Sequence, residues 1–378
     1  MNLFVCSTAY QLMNAIYLAI KEEKKSDIIF TKSGMDEICD IDKLVKENIF
    51  RNVYRWYAIA DKVSDDNVAD NKSKAIRFLN KIYICSNLKK IYKSLPNKDS
   101  IYETIYIGYA DFPSQCIYYY FEKNNCKLHL YEDGTYTYEC LAVTPTLLRK
   151  VSCRLLFGSY ILDRCSKVWI RKREQLNLGK YTEIEIGTIE IEDTVKSRLL
   201  SVFRGEGIDI SVFSKPVIFF DQNIEINLVK GKQIEIVEAI EREIGNDKLV
   251  VKMHPASRNT DYPDNILKFY DKIPFELIMD SYSMDRKILI SIFSTACFSP
   301  KLLMDEEPYI ILTYKIMKNS FSINTQYLEL IEKIKGSYTN PEKIMIPDSI
   351  EELIKSISKI GGHKGDKNEG NVCSSIYI

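Results

Sequence analysis

Short apolar runs alternate with amphipathic segments along most of this chain, and this alternation constrains the fold more than any other feature. Residues 216–220 are apolar almost throughout, as expected for a strand with both faces buried in a parallel sheet. Residues 231–245 then place their isoleucines on one side of a helix. Repetition of such strand–helix units predicts an α/β protein built on parallel sheets.

The predicted elements form two groups on either side of a glycine-containing segment. In the first group we predict strands at residues 3–6, 27–31, 53–59, 104–108, 127–131, 167–170 and 183–191, and helices at 9–21, 36–48, 72–95, 112–123 and 193–205. In the second group we predict strands at 216–220, 248–253, 287–292 and 309–314, and helices at 231–245, 275–280, 296–303, 325–335 and 349–360.

A chain of 378 residues is too long for one ordinary α/β core and long enough for two. We therefore predict an N-terminal Rossmann-like domain over residues 1–205 and a linker over 206–215. A C-terminal Rossmann-like domain follows over 216–360, with a flexible tail over 361–378.

Charge and cysteine content disfavour several classes of protein. The 52 Lys and Arg residues balance 52 Asp and Glu residues, which argues against a nucleic-acid partner. The ten cysteines contain no C-x-x-C pair, so we expect no zinc site and no disulfide framework. There is no signal-peptide pattern and no run long enough to span a bilayer, so we expect a cytoplasmic protein, or one peripheral at the inner membrane face.

An acidic motif, Glu132-Asp133-Gly134, follows the strand predicted at 127–131. Adjacent carboxylates raise each other's pKa, which suits a general base that takes a proton from a hydroxyl group near neutral pH. The same tripeptide is common in exposed turns. The residues themselves are compatible with both interpretations.

A histidine–proline pair, His254-Pro255, follows the strand predicted at 248–253. Of the three histidines, His129 lies inside a predicted strand and His363 lies in the polar tail. A protonated imidazole at a strand end can stabilise or protonate a leaving phosphate. The alternative is a structural loop histidine beside a turn proline.

Polar residues at other element boundaries are candidate substrate ligands. Ser294 and Thr295 precede the predicted helix at 296–303, where they can bind phosphate or simply cap the helix. Glu276 lies in a first helical turn, where it can bind a ribose diol or complement the helix dipole.

The first predicted helix begins beside Ser7, Tyr10 and Gln11, which can contact substrate, whereas Ser7 can also serve as a cap. The chain lacks a phosphate-binding glycine-rich loop, an H-E-x-x-H motif and a G-x-S-x-G motif. Asp40 and Asp42 form a D-x-D pattern, but it lies in a charged, helical segment, so no metal site is predicted.

In their order and strand-end placement these motifs resemble bacterial sialyltransferases of the GT-B type, above all the lipooligosaccharide and capsule sialyltransferases of glycosyltransferase family 52. The resemblance lies in the D/E-D/E-G motif at Glu132-Asp133-Gly134, the H-P motif at His254-Pro255, the S-S/T motif at Ser294-Thr295 and the opening Ser7-x-x-Tyr10-Gln11-Leu12. It implies a GT-B fold, in which two Rossmann-like domains with parallel sheets face a central cleft.

The resemblance also implies catalytic roles. Glu132 would be the general base, although Glu stands where Asp is more usual, so Asp133 is a second candidate. His254 would act on the phosphate of CMP as an acid or an electrostatic partner.

Binding roles follow in the same way. Ser294 and Thr295 would hold the phosphate. By resemblance to the related sialyltransferase families, Lys252 would contact the cytosine region and Glu276 would bind ribose. The remaining residues of the matching motifs would contact substrate: Gly134, Pro255, Ser7, Tyr10 and Gln11.

The implied reaction is inverting, metal-independent transfer of sialic acid from CMP-sialic acid to a glycan acceptor, with terminal galactose as the expected acceptor and no cofactor. The sequence leaves open a homodimer and a membrane contact through the basic helix at 72–93. It also leaves open another GT-B enzyme (a polysialyltransferase, a Kdo-like transferase or a nucleotide-sugar epimerase) and a non-catalytic nucleotide-sugar-binding protein.

Overall fold

Two compact units make up the chain. The computed structural model describes residues 1–35, 38–57, 88–134, 137–138, 141, 147–190, 192–203, 209–222, 227–254, 257, 261–271, 273–279, 281–317 and 325–362. The first unit comprises Met1–Ile208 and Lys272–Leu277, and the second comprises Asp209–Asp271 and Ile278–Ile378. Most of the helix predicted at 72–95, as well as Pro255, His363 and nearly all of the predicted tail, lies outside the described residues.

The first unit is built on a seven-stranded sheet in which every neighbouring pair is parallel. Its strands are β1 (Asn2–Cys6), β2 (Ser26–Phe30), β3 (Asn52–Arg55), β4 (Thr104–Ile107), β5 (Lys127–Tyr131), β6 (Cys165–Ile170) and β7 (Glu185–Thr188). Their lateral order is β3-β2-β1-β4-β5-β6-β7. The order reverses between β1 and β4, which is where open α/β sheets bind ligands, beyond the carboxyl ends of the strands.

The helices described in full in this unit are α1 (Ala9–Lys21), α2 (Ile41–Lys46), α3 (Phe112–Phe121), α4 (Leu147–Phe157) and α5 (Asp193–Phe203). Helix α1 has the predicted bounds. The helix predicted at 36–48 is shorter than expected, because the Asp40 carboxylate accepts the Lys43 N–H at 3.1 Å and caps a helix that begins at Ile41. Helix α4 was not predicted.

The second unit is built on a six-stranded parallel sheet. Its strands are β8 (Val217–Phe220), β9 (Leu249–Lys252), β10 (Lys268–Phe269), β11 (Ile288–Ser291), β12 (Tyr309–Leu312) and β13 (Ile344–Met345). Their lateral order is β10-β9-β8-β11-β12-β13, with the reversal between β8 and β11. The sequence did not predict the two-residue strands β10 and β13. The α/β prediction with parallel sheets is confirmed in both units.

The α-helices described in the second unit are α6 (Asn227–Ile244), α7 (Phe275–Met279), α8 (Thr325–Ser337) and α9 (Ile350–Gly362), with α7 beginning in the segment that groups with the first unit. The α-helix predicted at 296–303 was wrong. A 3₁₀ turn at Thr295–Phe298 is followed by a π-helical turn at Pro300–Met304. Pro300 has no N–H group to donate to the carbonyl four residues earlier, so an α-helix cannot run through this position undisturbed.

Buried cysteines belong to the hydrophobic cores of the units. Cys6, Cys116 and Cys297 have no solvent exposure. Burial raises the pKa of the Cys297 thiol to about 12, so this side chain is an inert apolar group.

Helix length and hydropathy bear on membrane insertion. Over the described ranges, no helix is both long enough and apolar enough to cross a membrane.

Candidate active site

Four adjacent strand ends supply the polar groups at the carboxyl edge of the first sheet. The chain leaving β1 carries Ser7 and Gln11, and the chain leaving β4 carries Asp111. The chain leaving β5 carries the acidic motif, and Arg171 follows β6 directly. These strands are neighbours around the reversal of strand order, so the fold brings residues more than 160 positions apart to one edge.

Glu132 is fully buried, and donors occupy both of its carboxylate oxygens. The Tyr10 hydroxyl donates to Oε1, and the Tyr138 hydroxyl donates to Oε2 at 2.6 Å. The Arg171 backbone N–H also donates to Oε2, at 2.8 Å. A carboxylate held this tightly is fixed in place and has little capacity left to accept a proton from a substrate.

The Arg171 guanidinium balances the buried charge of Glu132. Its Nε lies 3.7 Å from Glu132 Oε1, and its Nη2 donates to Asn14 Oδ1 at 2.9 Å. Burial alone would lower the pKa of Arg171, but its interactions with Tyr10, Glu132 and Glu276 outweigh burial, so the pKa is raised. Asn14 closes the cluster by donating to the Glu132 carbonyl at 2.9 Å.

Asp133 differs from its neighbour in exposure and in its protonation equilibrium. Its side chain is partly exposed, whereas that of Glu132 is buried. Burial of much of the carboxyl group raises the pKa of Asp133 to about 6. A hydrogen bond from Gln11 lowers this pKa, and the charges of Asp111 and Glu132 raise it further. A carboxylate of this kind can both exchange protons near neutral pH and reach solvent.

Gln11 is oriented by the turn that precedes α1. Its Oε1 accepts the Ser7 N–H at 2.7 Å and the Ser7 hydroxyl at 3.0 Å, which leaves its amide N–H₂ for Asp133. The chain after β4 approaches the same side chain. A Cβ at Gly108 would lie 2.7 Å from Gln11 Cγ, so only glycine fits there without displacing the glutamine.

The second sheet also has a buried carboxylate just beyond a strand. Asp221 follows β8 and is 3% exposed. Its Oδ1 accepts from Gln233 Nε2 at 2.6 Å and from the Tyr262 hydroxyl at 2.8 Å, and its Oδ2 accepts the His254 N–H at 3.2 Å. Asp221 therefore ties the end of β9 to the end of β8.

Gln222 extends this network to a third strand end. Its N–H donates to Gln233 Oε1 at 3.2 Å, and its own Oε1 accepts the Phe293 N–H at 2.8 Å. The segments that carry the His254 and Ser294 motifs are consequently both held from the end of β8. The His254 side chain is exposed.

Ser294 and Thr295 lie one turn beyond β11. The Ser294 N–H donates to Ser291 Oγ at 2.9 Å, and Ser294 Oγ accepts the Ala296 N–H at 3.3 Å, so Ser294 caps the 3₁₀ turn. Thr295 is exposed. These residues remain candidate ligands through their hydroxyl groups, but no α-helix begins here.

Lys252 and Glu276 have different surroundings. Lys252 lies at the end of β9, buried to 7% exposure, with its ammonium 5.7 Å from the centre of the Phe269 ring. Glu276 lies in the first turn of α7, in the segment that groups with the first unit, and its charge raises the pKa of Tyr10. Burial is the largest cause of the Tyr10 shift, followed by the charge of Glu132.

Sequence reasoning missed the residues that hold the motifs in place: Asn14, Tyr138, Arg171, Asp221, Gln222, Gln233 and Tyr262. Asp221 gave a usable signal, since it follows an apolar strand directly, as Glu132 does. Arg171 also follows a strand directly. The others lie within helices or loops, where nothing in the local pattern separates them from ordinary polar positions.

His129 and the D-x-D pattern at Asp40 and Asp42 are not among the polar groups at the carboxyl edge of the first sheet. His129 is partly buried in β5, 5.0 Å from the Tyr106 ring in an edge-to-face arrangement, and burial lowers its pKa to about 4. Asp40 is the cap of α2. Within the described residues, no group of three or more His, Cys, Asp or Glu side chains is arranged to hold a metal ion.

No family model and no curated protein matches this chain. Among solved structures, CalG4, the calicheamicin glycosyltransferase, is similar over 97% of this chain and 90% of its own, with a TM-score of 0.54 and 10% identity. Arabidopsis thaliana UGT89C1 complexed with quercetin gives a TM-score of 0.53 at 9% identity over 97% of this chain and 90% of its own. UDP-GlcNAc 2-epimerase from Neisseria meningitidis bound to UDP-GlcNAc gives a TM-score of 0.52 at 10% identity, over 96% of this chain and 92% of its own. The two parallel-sheet units and these similarities show a GT-B fold.

Proposed function

We propose that this protein is an inverting, metal-independent sialyltransferase that moves sialic acid from CMP-sialic acid to a hydroxyl group of a glycan acceptor, with terminal galactose as the first candidate. The observation that carries the proposal is Asp133, a partly exposed carboxylate with a pKa of about 6 at the carboxyl edge of the first sheet, beyond β5. It stands in the motif for which the sequence resemblance implies a general base. The GT-B fold is compatible with this reaction.

We assign the base to Asp133 and a positioning role to Glu132. The resemblance alone favoured Glu132. However, its two carboxylate oxygens already accept from Tyr10, Tyr138 and the Arg171 backbone, and it is fully buried. Removing a proton from an acceptor would require Glu132 to break these bonds, whereas Asp133 has a protonation equilibrium in the working range.

In the proposed reaction, Asp133 takes the proton of the acceptor hydroxyl as its oxygen attacks the anomeric carbon of sialic acid. The bond from that carbon to the CMP phosphate breaks, and its electron pair stays on the phosphate oxygen. The transition state resembles an oxocarbenium ion. We assign His254 to the developing phosphate charge, with Ser294 and Thr295 as hydroxyl donors to the same group.

The remaining assignments concern the nucleotide and the acceptor. Glu276 is the proposed ligand of the ribose diol, and Lys252 the proposed contact of the cytosine region. The Lys252 ammonium would have to leave the Phe269 ring to make that contact. Ser7, Gln11 and Tyr10 support the carboxylates, and through them the acceptor side of the reaction.

The test is release of CMP from CMP-sialic acid in the presence of EDTA, with and without a galactose-terminated acceptor. Wild type, Asp133→Asn and His254→Ala are compared with Asp40→Asn, a matched control that keeps a good helix cap. We expect acceptor-stimulated release that is lost in both site variants and retained in the control. Absence of release with any galactosyl acceptor, or equal rates in all four proteins, would overturn the proposal.

Nucleotide preference separates this proposal from the alternative enzymes of the same fold. CMP should raise the melting temperature of the protein, and UDP should not. Stabilisation by UDP alone would contradict the CMP assignment. It would favour a UDP-sugar enzyme, because the similar epimerase from Neisseria meningitidis is bound to UDP-GlcNAc.

A further inference from the structure

Helix α4 presents an apolar strip to solvent, which is unusual for a helix that packs on a protein core. Leu155 is 83% exposed and Val151, one turn earlier, is 46% exposed. Both side chains lie on the same side of the helix, since residues four apart are neighbours on a helix surface. Large apolar side chains that stand next to each other in solvent mark an interaction surface more often than single ones do.

The opposite side of α4 accounts for its attachment to the protein. Cys153 is buried and its thiol lies 3.6 Å from Gln115 Oε1. The Phe157 ring stacks on Tyr119 with centroids 4.8 Å apart, and both contacts are made with α3. Because Cys153 and Phe157 hold the inner side, the strip of Val151 and Leu155 is not required for packing of the first unit.

The charge of α4 is entirely basic. The helix contains Arg149, Lys150 and Arg154 and has no Asp or Glu. Arg154 is exposed beside Leu155. The charge of Arg154 reaches one acid, Asp163, which also pairs with Lys180 at 2.9 Å, and Glu122 pairs with Arg164 at 3.4 Å. The surface around the apolar strip therefore carries a positive excess.

We propose that this surface, the α4 strip of Val151 and Leu155 with Lys150 and Arg154, binds an anionic lipid bilayer. Apolar side chains inserted among headgroups, with basic side chains beside them, are the combination by which an interfacial helix attaches to an anionic membrane. The charge favours this occupant, because the headgroups of an anionic bilayer complement the exposed Arg154 and the partly exposed Lys150 beside the apolar strip. The inference does not depend on the proposed transferase reaction.

This surface differs from the one expected from sequence. The sequence offered the basic helix at 72–93 as a candidate membrane surface, with a solvated helix face as the favoured alternative, and residues 58–87 lie outside the described part of the chain. Helix α4 was not predicted as an element at all.

The experiment is sedimentation of the full chain with sucrose-loaded vesicles made of equal parts phosphatidylglycerol and phosphatidylcholine, or of phosphatidylcholine alone. We expect binding to the anionic vesicles only, with weakening in high salt because exposed charges are screened. Leu155→Glu should reduce vesicle binding by about 10-fold or more, since it removes the most exposed apolar side chain and adds a negative charge that the anionic headgroups repel. Arg154→Glu should act in the same direction.

Ile101→Glu is the matched control. Ile101 is also exposed, at 70%, but its sequence neighbours Lys98, Asp99 and Glu103 give no basic excess, so this variant should bind as wild type does. Unchanged thermal unfolding of Leu155→Glu would show that the fold is intact, as its exposure predicts. The proposal would be overturned if the wild type did not bind vesicles, or if Ile101→Glu lost as much vesicle binding as Leu155→Glu. It would also be overturned if Leu155→Glu changed the molar mass in solution without changing vesicle binding, because the surface would then be a self-association face.

Discussion

The two units place a buried carboxylate in the same position but compensate it differently. Glu132 follows β5 and Asp221 follows β8, each at the carboxyl edge of its sheet. Glu132 has a cationic partner in Arg171, in addition to two tyrosine hydroxyls. The hydrogen bonds to Asp221 shown among the described residues come from neutral groups: an amide, a hydroxyl and a backbone N–H.

In each unit the buried acid positions a neighbour to which the proposed reaction assigns a role. Glu132 fixes the chain next to Asp133, which is partly exposed. Asp221 fixes the backbone of His254, whose side chain is exposed. A carboxylate in low-dielectric surroundings makes strong hydrogen bonds, so each buried acid holds a loop more rigidly than an uncharged group would.

The largest expected effect is that of Arg171→Met on stability. This change leaves Glu132 buried without its cation, and breaking a buried pair from one side costs about 3–5 kcal/mol of unfolding free energy. Urea denaturation measures it. The double variant Glu132→Gln with Arg171→Met should lose clearly less than the sum of the single losses, because no unpaired charge remains. Strict additivity would mean that the pair does not act as a unit.

Asp221→Ala should be next in size. It leaves Gln233, Tyr262 and the His254 N–H without their acceptor, at a cost of about 2–3 kcal/mol, and it should lower the turnover of CMP-sialic acid by releasing the His254 segment. The exposed Asp264 provides the control substitution Asp264→Ala, which should have no effect in urea. If Asp221→Ala has the same unfolding free energy in urea as Asp264→Ala, the Asp221 network does not stabilise the second unit as the Glu132 network is expected to stabilise the first.

The strand–helix pattern was sufficient to predict most of the fold. Apolar runs and helical periodicity gave the strands at the two sheet centres and the bounds of α1, because local sequence determines which residues such elements bury. The prediction of an α-helix at 296–303 was wrong because it followed the apolar periodicity and gave too little weight to Pro300, which interrupts α-helical hydrogen bonding. Strands β10 and β13 were missed because two residues carry no periodicity.

The candidate site was predictable only at the level of motifs. The sequence places Glu132 and Asp133 side by side and cannot distinguish a buried acid from an exposed one. The distinction comes from Tyr10, Tyr138 and Arg171, which reach Glu132 from distant parts of the chain. Tertiary contacts of this kind leave no trace in the spacing of residues around the motif.

Gly108→Ala tests whether the hydrogen bond from Gln11 sets the pKa of Asp133. The new methyl group would displace Gln11. The hydrogen bond from Gln11 lowers the pKa of Asp133, so its loss should raise that pKa above about 6. The acidic limb of the pH–rate profile should move to higher pH, with about a 10-fold loss of rate below it. Gly231→Ala, in open space on α6, is the control and should leave the profile in place.

The smallest expected effect is a change in the pH dependence of stability in Asp133→Asn. Folding raises the pKa of Asp133 from 3.8 to about 6, so the folded state holds this proton more tightly than the unfolded state does. The ionised carboxylate therefore costs stability, and the cost grows as pH rises from the unfolded value to the folded one. With partial solvent screening, the variant should be about 1 kcal/mol more stable than wild type at alkaline pH and equal to it at acidic pH. Thermal unfolding at the two pH values would show it. A uniform shift would contradict the assignment.

The pH dependence of the proposed CMP-sialic acid turnover distinguishes Asp133 from Glu132 as the general base. If Asp133 is the base, we expect the wild-type rate to rise with pH through a limb near pH 6 and then level, as the Asp133 carboxylate ionises. Asp133→Asn should lose this limb and about 10²–10⁴ of the rate, while Glu132→Gln should be slower but keep the limb. A limb that persists in Asp133→Asn and disappears in Glu132→Gln would contradict the account and return the base to Glu132.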